Sequence, residues 1–386
     1  MITTIVRRAV PVLAVAGLLA VAAVRPAAHA SVPGLRPHQA GQAAAVPASF
    51  QPASASFFSA RSGYVLGGMG CRPGRAGRPG RGCRAWLAVT IDGGRRWHFA
   101  GAPDVRVGGA VSSVVFASAA DGWLYGPGLR YTRDGGTRWR TVSLGGAVEQ
   151  VAASAGRVYA VVAPPGGKPE ELFASPEGRD AWARAGHFTA ARAILAVSGR
   201  AAWLASASTF GTSSTHVWAT ADGARWHRYP LRCPDSGHGR GKITYGLSGM
   251  AAASAAHVAF LCSGGAGLGS VQKEVLTSSD GGQTVHLAGR APFAGDPVGI
   301  ALPPGRPQVI TLAANSGASF LDRSADGGKT WTRMQVPGTG GGPGLSCLSY
   351  PSPAVGWVVV GNPGDGSENW LQRTSDAGRT WHKISF

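Results

Sequence analysis

Short apolar runs alternate with turn-forming residues along nearly the whole chain after residue 50. Examples are "FFSARSGYVLGG" at 57–68, "VVFASAADGWLYG" at 114–126 and "YPSPAVGWVVVG" at 350–361. The runs are short, rich in β-branched and aromatic residues, and bounded by Gly, Pro, Ser or Asp, which is typical of β-strands. The three-to-four-residue apolar period of helices is nearly absent. The pattern therefore predicts an all-β fold of many short antiparallel strands.

A polar phrase recurs seven times between these runs, as "SADGGKTW" at 324–331 and "TSDAGRTW" at 374–381. The steps between copies are 42 to 58 residues, a period typical of propeller blades. Each unit is interpreted as four strands, A to D, with the phrase at the turn between C and D. Seven units predict a seven-bladed β-propeller. The acidic positions of these seven repeat turns are Asp92, Asp134, Glu177, Asp222, Asp280, Asp326 and Asp376.

The residue types of the repeat turn predict a structural role for it. An Asp side chain accepts hydrogen bonds from the backbone ahead of it, and the glycines that follow adopt positive φ without strain. The Ser or Thr two positions earlier can satisfy another turn group, and the Trp at the end supplies apolar surface for packing. The seven acidic side chains are therefore expected to be turn residues rather than catalysts.

The phrase resembles the Asp-box, or BNR repeat, of sialidase-like propellers. Its pairing with strands that open on "GW" also resembles the repeats of Ycf48-like exported proteins, whose namesake is a photosystem II assembly factor. The likeness spans about residues 50–386. It implies a propeller in which the boxes lie between the third and fourth strands, away from the ligand site.

The N-terminus has the pattern of an export signal. Arg7 and Arg8 precede an uncharged apolar run at 9–24, and a small-x-small site at 28–30 predicts cleavage before Ser31. An uncleaved anchor is the alternative, and membrane contact is expected only in that case. The protein is expected to be secreted or displayed at the cell surface. The predicted division is a signal peptide at 1–30, a Pro/Ala-rich linker at 31–49 and the propeller at 50–386.

Five cysteines in an exported chain allow two disulfides and one leftover thiol. Cys71 and Cys83 bracket a glycine-rich loop and are expected to pair. Cys233 and Cys262 are predicted to lie near one another and can also pair, which leaves Cys347 as a buried thiol. The sequence has no CxxC motif and its histidines are scattered over different blades, so neither a metal nor a cofactor is expected.

The formal net charge of +18 indicates attraction to polyanions such as acidic glycans or cell-wall polymers. The scattered arginines equally fit a bias of composition. One group is regularly spaced in or beside the loop at 71–83 and predicts a cationic binding patch for carboxylate or phosphate groups. Nucleic acid is not expected, because the chain carries an export signal and no stacking aromatics accompany the patch. The group is Arg72, Arg75, Arg78, Arg81 and Arg84.

The topology of four-stranded blades separates two faces of the ring. The A–B and C–D turns emerge on one, the turn face, and the B–C loops and D–A crossings emerge on the other, the loop face. The long insertions at 71–83, 233–246, 338–347 and 361–369 all fall on the loop face. Long loops on a rigid scaffold often carry binding function, so a ligand is expected there.

Two functional hypotheses follow. The first is an exported, monomeric, non-catalytic propeller that binds a protein or an anionic glycan at the loop face. The alternative is a sialidase-like glycoside hydrolase, which requires paired carboxyl groups. The loop-face candidates for that chemistry are Asp235, Asp365 and Glu368. The Arg-Ile-Pro phrase of sialidases is absent, which favours the first hypothesis.

Closure of the ring has two predicted solutions. The last blade is complete in itself, so no later strand is left to complete blade 1. Closure is therefore expected either from packing between blades 1 and 7 or from residues 40–56 adding an edge strand.

Overall fold

The computed structural model describes most of the chain beyond residue 43. The described residues are 44–71, 83–107, 113–186, 188, 192–207, 214–236, 243–267, 269–337, 344–361 and 369–386. They belong to one unit, Ala43–Phe386. The predicted signal peptide and most of the predicted linker lie outside them. Across these ranges the regular elements are all β-strands. This part of the chain has no helix with the length and apolarity that a membrane span requires.

Seven four-stranded antiparallel sheets follow one another along the chain, each with its strands in the order A-B-C-D. This confirms the predicted seven-bladed propeller. Blades 1 to 3 consist of β1 (Gln51–Phe57), β2 (Gly63–Gly68), β3 (Cys83–Thr90) and β4 (His98–Gly101); β6 (Ser113–Phe116), β7 (Gly122–Tyr125), β8 (Leu129–Thr132) and β9 (Arg140–Val142); and β10 (Ala147–Ser154), β11 (Arg157–Ala163), β12 (Glu171–Pro176) and β13 (Ala183–Arg184).

The remaining blades repeat the pattern, and two short elements lie between blades. Blades 4 and 5 consist of β14 (Ala193–Ser198), β15 (Ala201–Ser206), β16 (Ser214–Thr220) and β17 (His227–Arg232); and β20 (Gly246–Ala252), β21 (Val258–Gly267), β22 (Ser270–Ser278) and β23 (His286–Ala291). Blades 6 and 7 consist of β24 (Asp296–Ala301), β25 (Ile310–Asn315), β26 (Ser319–Ser324) and β27 (Thr332–Gln335); and β28 (Leu345–Ser349), β29 (Gly356–Val360), β30 (Trp370–Thr374) and β31 (His382–Ile384). The short elements are β5 (Arg106–Val107), which pairs with β3, and the hairpin of β18 (Asp235–Ser236) and β19 (Ile243–Thr244).

The A strands form the inner ring, in which each contacts the A strand of the next blade and β28 contacts β1. Polar side chains replace backbone pairing between blades here. The Gln150 amide donates to the Leu195 carbonyl and accepts from its N–H, both at 3.0 Å. Ser56 Oγ accepts from the Phe116 N–H at 2.8 Å. These bonds satisfy backbone groups that face a neighbouring sheet instead of a paired strand.

One position of strand B lies at each seam between blades, and five of the seven blades carry a Tyr or Trp there. This position directly follows the residue that pairs in register with the Ser or Thr of the repeat turn, and we call it the seam position. Tyr64 donates from its hydroxyl to the Ala119 carbonyl of the next blade at 2.7 Å, and the Trp203 indole donates to Gly281 O at 2.7 Å. The ring therefore links its own blade to the next one. In blade order the seam residues are Tyr64, Trp123, Tyr159, Trp203, Ala259, Thr311 and Trp357.

A glycine precedes the seam residue in blades 1, 2 and 7, because an aromatic side chain of strand A covers it. In blade 2, a Cβ at Gly122 would lie 2.4 Å from the Phe116 ring. That ring stacks in turn on Tyr64 of blade 1, with 3.6 Å between centroids. The "GW" and "GY" pairs of the sequence thus leave room for an aromatic stack that crosses the seam.

The ring closes through side-chain packing between blades 7 and 1. Phe57 stacks on Trp357 with centroids 3.8 Å apart and nearly parallel planes. Phe386 packs against Phe50 at 4.8 Å and against Trp97 at 4.9 Å. The packing between blades 1 and 7 that the first closure hypothesis expects is therefore present. Ala45 also forms an antiparallel bridge with His98, so the described residues just before β1 add to the outer edge of blade 1.

The glycine before the seam residue provides a test of this packing. We expect Gly122→Ala to lower the free energy of unfolding by about 1–3 kcal/mol, because the added methyl group overpacks the site under Phe116. Gly317→Ala is the matched control, since a Cβ there meets no atom within 4 Å. Urea unfolding of both variants measures the difference, and equal stabilities would contradict the seam account.

Candidate functional site

The repeat turns form a closed hydrogen-bond network on the turn face. In blade 6, Ser324 Oγ donates to Asp326 Oδ1 at 2.8 Å and accepts from the Gly328 N–H at 2.8 Å. The Thr330 N–H and hydroxyl both donate to the Asp326 carboxylate, at 2.9 and 2.6 Å. Backbone N–H groups donate in the same way to Asp92, Asp134, Asp222, Asp280 and Asp376. The repeat-turn aspartates thus use carboxylate acceptors within their own turns.

The degenerate copy in blade 3 is organised differently. Ser175 Oγ donates to the Arg179 carbonyl at 2.7 Å and accepts from the Ala181 N–H at 3.0 Å. The hydroxyl therefore bridges the turn, and the Glu177 backbone N–H donates to Gly156 O at 2.8 Å. The turn is kept although the Asp-Gly-Gly sequence is lost.

Five repeat turns are also tied to the A–B turn of their own blade by the same backbone bond. The N–H after the acidic residue donates to an A–B carbonyl, as from Gly93 to Arg61 and from Gly327 to Gln308, both at 2.8 Å. The same bond occurs at Gly135, Gly281 and Ala377. Both sets of turns therefore lie on one face.

The two predicted disulfides are present, between Cys71 and Cys83 and between Cys233 and Cys262. Disulfides of this kind are typical of proteins in oxidising compartments. Cys347, in β28, is half-buried and not fully buried as expected, and its Sγ lies 3.7 Å from Ser54 Oγ.

Of the predicted arginine patch, Arg84 lies in the described part of the chain, and Arg72, Arg75, Arg78 and Arg81 lie outside it. Arg84 is exposed on β3 and its guanidinium stands 5.6 Å from the Trp86 ring centroid. The crossing from blade 1 to blade 2 folds back along β3, with the Ala85 N–H donating to Val105 O at 3.1 Å. This pairing sets Arg106 of β5 directly opposite Arg84.

The paired arginines lie beside a cavity of about 400 Å³ at the seam of blades 1 and 2, on the loop face. Arg106 lines the cavity, and so does the half-buried Arg130 of β8. Leu124, Arg130 and Thr141 are neighbours in register, so they form its wall on blade 2. Among the described lining residues none is acidic, and the exposed Asp104 lies two residues before Arg106. Guanidinium groups so placed bind carboxylate, sulfate or phosphate groups through paired N–H donors.

Arg106 and Arg130 have no distinguishing signal in the sequence. The loop at 71–83 attracts attention through its regular arginines and flanking cysteines, whereas Arg106 occurs alone in a crossing. Its role depends on the pairing of β5 with β3.

Of the carboxyl groups proposed for hydrolysis, Asp235 lies in β18 with a carboxylate oxygen 3.6 Å from the Arg232 guanidinium. Asp365 and Glu368 lie outside the described residues. A different pair interacts on the loop face of blade 3. Burial raises the pKa of Glu170, the nearby Glu149 carboxylate raises it further and Arg192 opposes the rise. The Glu170 carboxylate accepts a hydrogen bond from the Ala193 N–H, so it also joins blade 3 to blade 4.

A buried lysine holds the crossing from blade 5 to blade 6. Lys273 is 1% exposed, and its Nζ lies 2.7 Å from Gly295 O and 2.9 Å from Phe293 O. Burial lowers its pKa to about 8, although the buried Asp322 nearby favours the charged form. Asp322 pairs with Arg333 at 2.7 Å. Within the described ranges, no three His, Cys, Asp or Glu side chains group as metal ligands.

No protein-family model matches this sequence, and no curated protein matches it. Solved structures match its fold. YCF48 from Cyanidioschyzon merolae is 15% identical with a TM-score of 0.54, and the match covers 87% of this chain and 98% of that one. A puromycin hydrolase S511A mutant complexed with PGG is 16% identical with a TM-score of 0.55, covering 88% and 54%. A Mycobacterium tuberculosis puromycin-hydrolyzing peptidase is 14% identical with a TM-score of 0.55, with the same coverage. At these identities the likeness shows the propeller fold, and this chain spans about half the length of the two hydrolases.

Because of the repeat-turn network, we expect the free energy of unfolding to fall at acid pH. The Thr284 hydroxyl and N–H and the Ser278 hydroxyl lower the pKa of Asp280 to about 2. A depressed pKa adds stability above the unfolded value of about 3.9, and this stability is lost as pH falls toward 2. We expect Thr284→Val to raise the Asp280 pKa in NMR titrations and to lower stability at pH 7, with the difference shrinking below about pH 4.

Thr137→Val is the control for that titration, because the Thr137 hydroxyl donates to the Asp134 main-chain carbonyl and not to its carboxylate. It should leave the carboxyl pKa values unchanged. A similar upward shift in both variants would show that the hydroxyl bond to the carboxylate is not the cause.

Proposed function

We propose that this protein is an exported, non-catalytic propeller that binds an anionic segment of a protein or glycan at its loop face. The observation that carries the proposal is the arginine pair at the seam of blades 1 and 2. Arg84 and Arg106 stand opposite each other, and Arg106 and Arg130 line the cavity of about 400 Å³. The predicted partners, a protein or an anionic glycan or cell-wall polymer, all present groups that this chemistry recognises.

The electrostatics of the paired strands supports an anionic ligand. Arg84 and Arg106 both carry positive charge at paired positions of β3 and β5, so both attract an anion that approaches this edge. Arg84 is exposed and thus accessible to a large ligand. The disulfide between Cys71 and Cys83 lies next to Arg84 in the chain. We include the arginines between these cysteines, Arg72, Arg75, Arg78 and Arg81, in the proposed site.

The turn geometry supports a scaffold role for the repeats. The aspartate carboxylates accept hydrogen bonds from the backbone of their own turns. We infer that these turns are structural Asp-boxes of the BNR type. The match covers 98% of the YCF48 chain, so nearly the whole of that chain corresponds to the propeller ring. A binding scaffold needs only this ring and a variable loop face. The disulfides and the N-terminal signal pattern support an extracytoplasmic location.

Binding to defined polyanions tests the site. We expect fluorescein-labelled poly-L-glutamate or dextran sulfate to bind the protein in anisotropy titrations, with affinity falling as salt rises. The double variant Arg84→Ala, Arg106→Ala should weaken binding at least about tenfold, because one hydrogen bond to a charged group is worth about 1.5–3 kcal/mol.

The matched control is Arg95→Ala, Arg138→Ala, which removes the same charge from two exposed repeat-turn arginines on the turn face. It should change affinity less than twofold or so, since only long-range attraction is lost. Equal weakening in both double variants would assign binding to net charge and would contradict a loop-face site.

The hydrolase alternative is favoured by one observation, the interacting Glu149 and Glu170 beside Arg192. A raised carboxyl pKa next to a second carboxylate is the arrangement that glycoside hydrolysis uses. A screen with fluorogenic sialosides and acidic polysaccharides should give no turnover if the protein is a binding scaffold. Turnover that is abolished by Glu170→Gln or Asp235→Asn, in variants that remain folded, would replace the binding proposal.

A further inference from the structure

A second cavity, of about 370 Å³, lies on the turn face at the seam of blades 5 and 6. Its walls come from both blades. Blade 5 contributes Thr277 of β22 and Leu287 of β23, and blade 6 contributes Leu302, Gln308 and the repeat-turn residue Gly327. This volume lies in the range of small-molecule sites. The cavity is on the face opposite the arginine site, so it is independent of the proposed function.

Blade 5 lacks, beside this cavity, the aromatic ring that five other blades carry at the seam position. The seam residue is Tyr or Trp in five blades, whereas in blade 5 it is Ala259. Ala259 is fully buried, and Thr277, its cross-strand partner in register, lines the cavity. Directly paired residues share one face of a sheet, so the missing ring would project into this seam.

The other seams show what such a slot accommodates. In the seam of blades 4 and 5, the Trp203 ring approaches the blade 5 repeat turn and its N–H donates to Gly281 O at 2.7 Å. In the seam of blades 1 and 2, the Tyr64 hydroxyl lies 2.9 Å from where a Cβ of Gly135 would be. Gly281 and Gly135 are the glycines after the repeat-turn acid, and Gly327 holds that position in blade 6. There the Gln308 side-chain oxygen, and not a ring, lies 2.7 Å from where a Cβ of Gly327 would be. The repeat therefore supplies a template, a phenol or indole ring against this glycine.

The rim of the cavity is accessible from solvent. Leu287 is 54% exposed, one of the most exposed large apolar side chains of the described chain, and His286 beside it is also exposed. Leu302 is buried and gives the interior an apolar wall. Gln308 and the half-buried His257 add polar groups at the blade 6 and blade 5 turns. The repeat turn of blade 6 adds the charged side chains of Asp326 and Lys329 to the lining. An apolar wall beside hydrogen-bonding groups matches an aromatic ring that carries one hydrogen-bond donor.

We propose that the seam cavity of blades 5 and 6 binds the phenol or indole ring of an external ligand, in the place that Tyr or Trp occupies in other seams. Such a ring has two possible sources, a free small aromatic molecule or a Tyr or Trp side chain of a peptide. Both use the same slot, and the experiment distinguishes them.

Binding of indole, p-cresol and the tripeptide Gly-Trp-Gly to the intact propeller tests the proposal. We expect saturable NMR shifts for indole or p-cresol, with changes at Thr277 and Leu287. Saturable binding of Gly-Trp-Gly as well would assign the slot to peptide side chains, and its failure beside bound indole would assign it to free small molecules. Failure of every probe to saturate would overturn the proposal.

Variants localise that binding. Thr277→Tyr should fill the cavity and weaken indole binding at least tenfold or so, and blade 2 already carries Tyr131 at the equivalent position. Leu287→Glu at the rim should weaken it about threefold or more, since it removes apolar contact. Ile91→Glu is the control, because Ile91 is 74% exposed on a repeat turn of blade 1. Indole binding unchanged by Thr277→Tyr contradicts the assignment, and if that variant does not fold, equal effects of Leu287→Glu and Ile91→Glu contradict it.

Discussion

A single blade of this protein cannot bury both faces of its sheet, and the whole fold depends on how one blade covers the next. In five blades, an aromatic ring at the seam position of strand B packs across the seam against the following blade. Trp203 ends on a carbonyl of the next repeat turn, and Tyr64 stacks on the next A strand. The contact recurs at fixed register in five blades, and packing of each of the seven blades on the next closes the ring.

This contact explains why the repeat is conserved in chemistry on one face and varied on the other. On the turn face, glycines of the repeat turns lie against the aromatic ring of the neighbouring blade. The aspartate carboxylates there accept hydrogen bonds from their own turns, so these acceptors are occupied. The loop face carries no such requirement. That face carries the disulfide between Cys71 and Cys83, the crossing that folds back along β3, and Arg84 and Arg106 at paired positions. The division between scaffold and variable surface therefore follows from packing.

The seams are not equivalent, and one of their differences lies beside the cavity of blades 5 and 6. At the seam of blades 7 and 1, Phe57 and Trp357 stack, and Phe386 adds a third ring to the outer cluster. At the seam of blades 5 and 6, alanine stands at the seam position, and the buried Lys273 and Asp322, with the exposed Arg333, carry part of the contact. The Lys273 ammonium donates to main-chain carbonyls, and Asp322 pairs with Arg333. These contacts join the two blades and leave the cavity on the turn face open. The resulting space is what distinguishes blade 5 from the rest.

The sequence by itself determined the blade number, the four-strand unit, the identity of the turns and both disulfides. These depend on local spacing: a Ser or Thr two residues before an Asp, glycines after it, and cysteines that flank one loop or enter one blade. Only the tertiary structure decided that Arg106 pairs in register with Arg84 and that the Glu149 carboxylate raises the pKa of Glu170. It also decided that the ring closes by aromatic packing. It also revealed the empty seam slot beside Ala259, which in sequence is one more alanine in a strand. Each of these depends on contacts between blades, and a local sequence pattern carries no information about which distant side chain will stand across a seam.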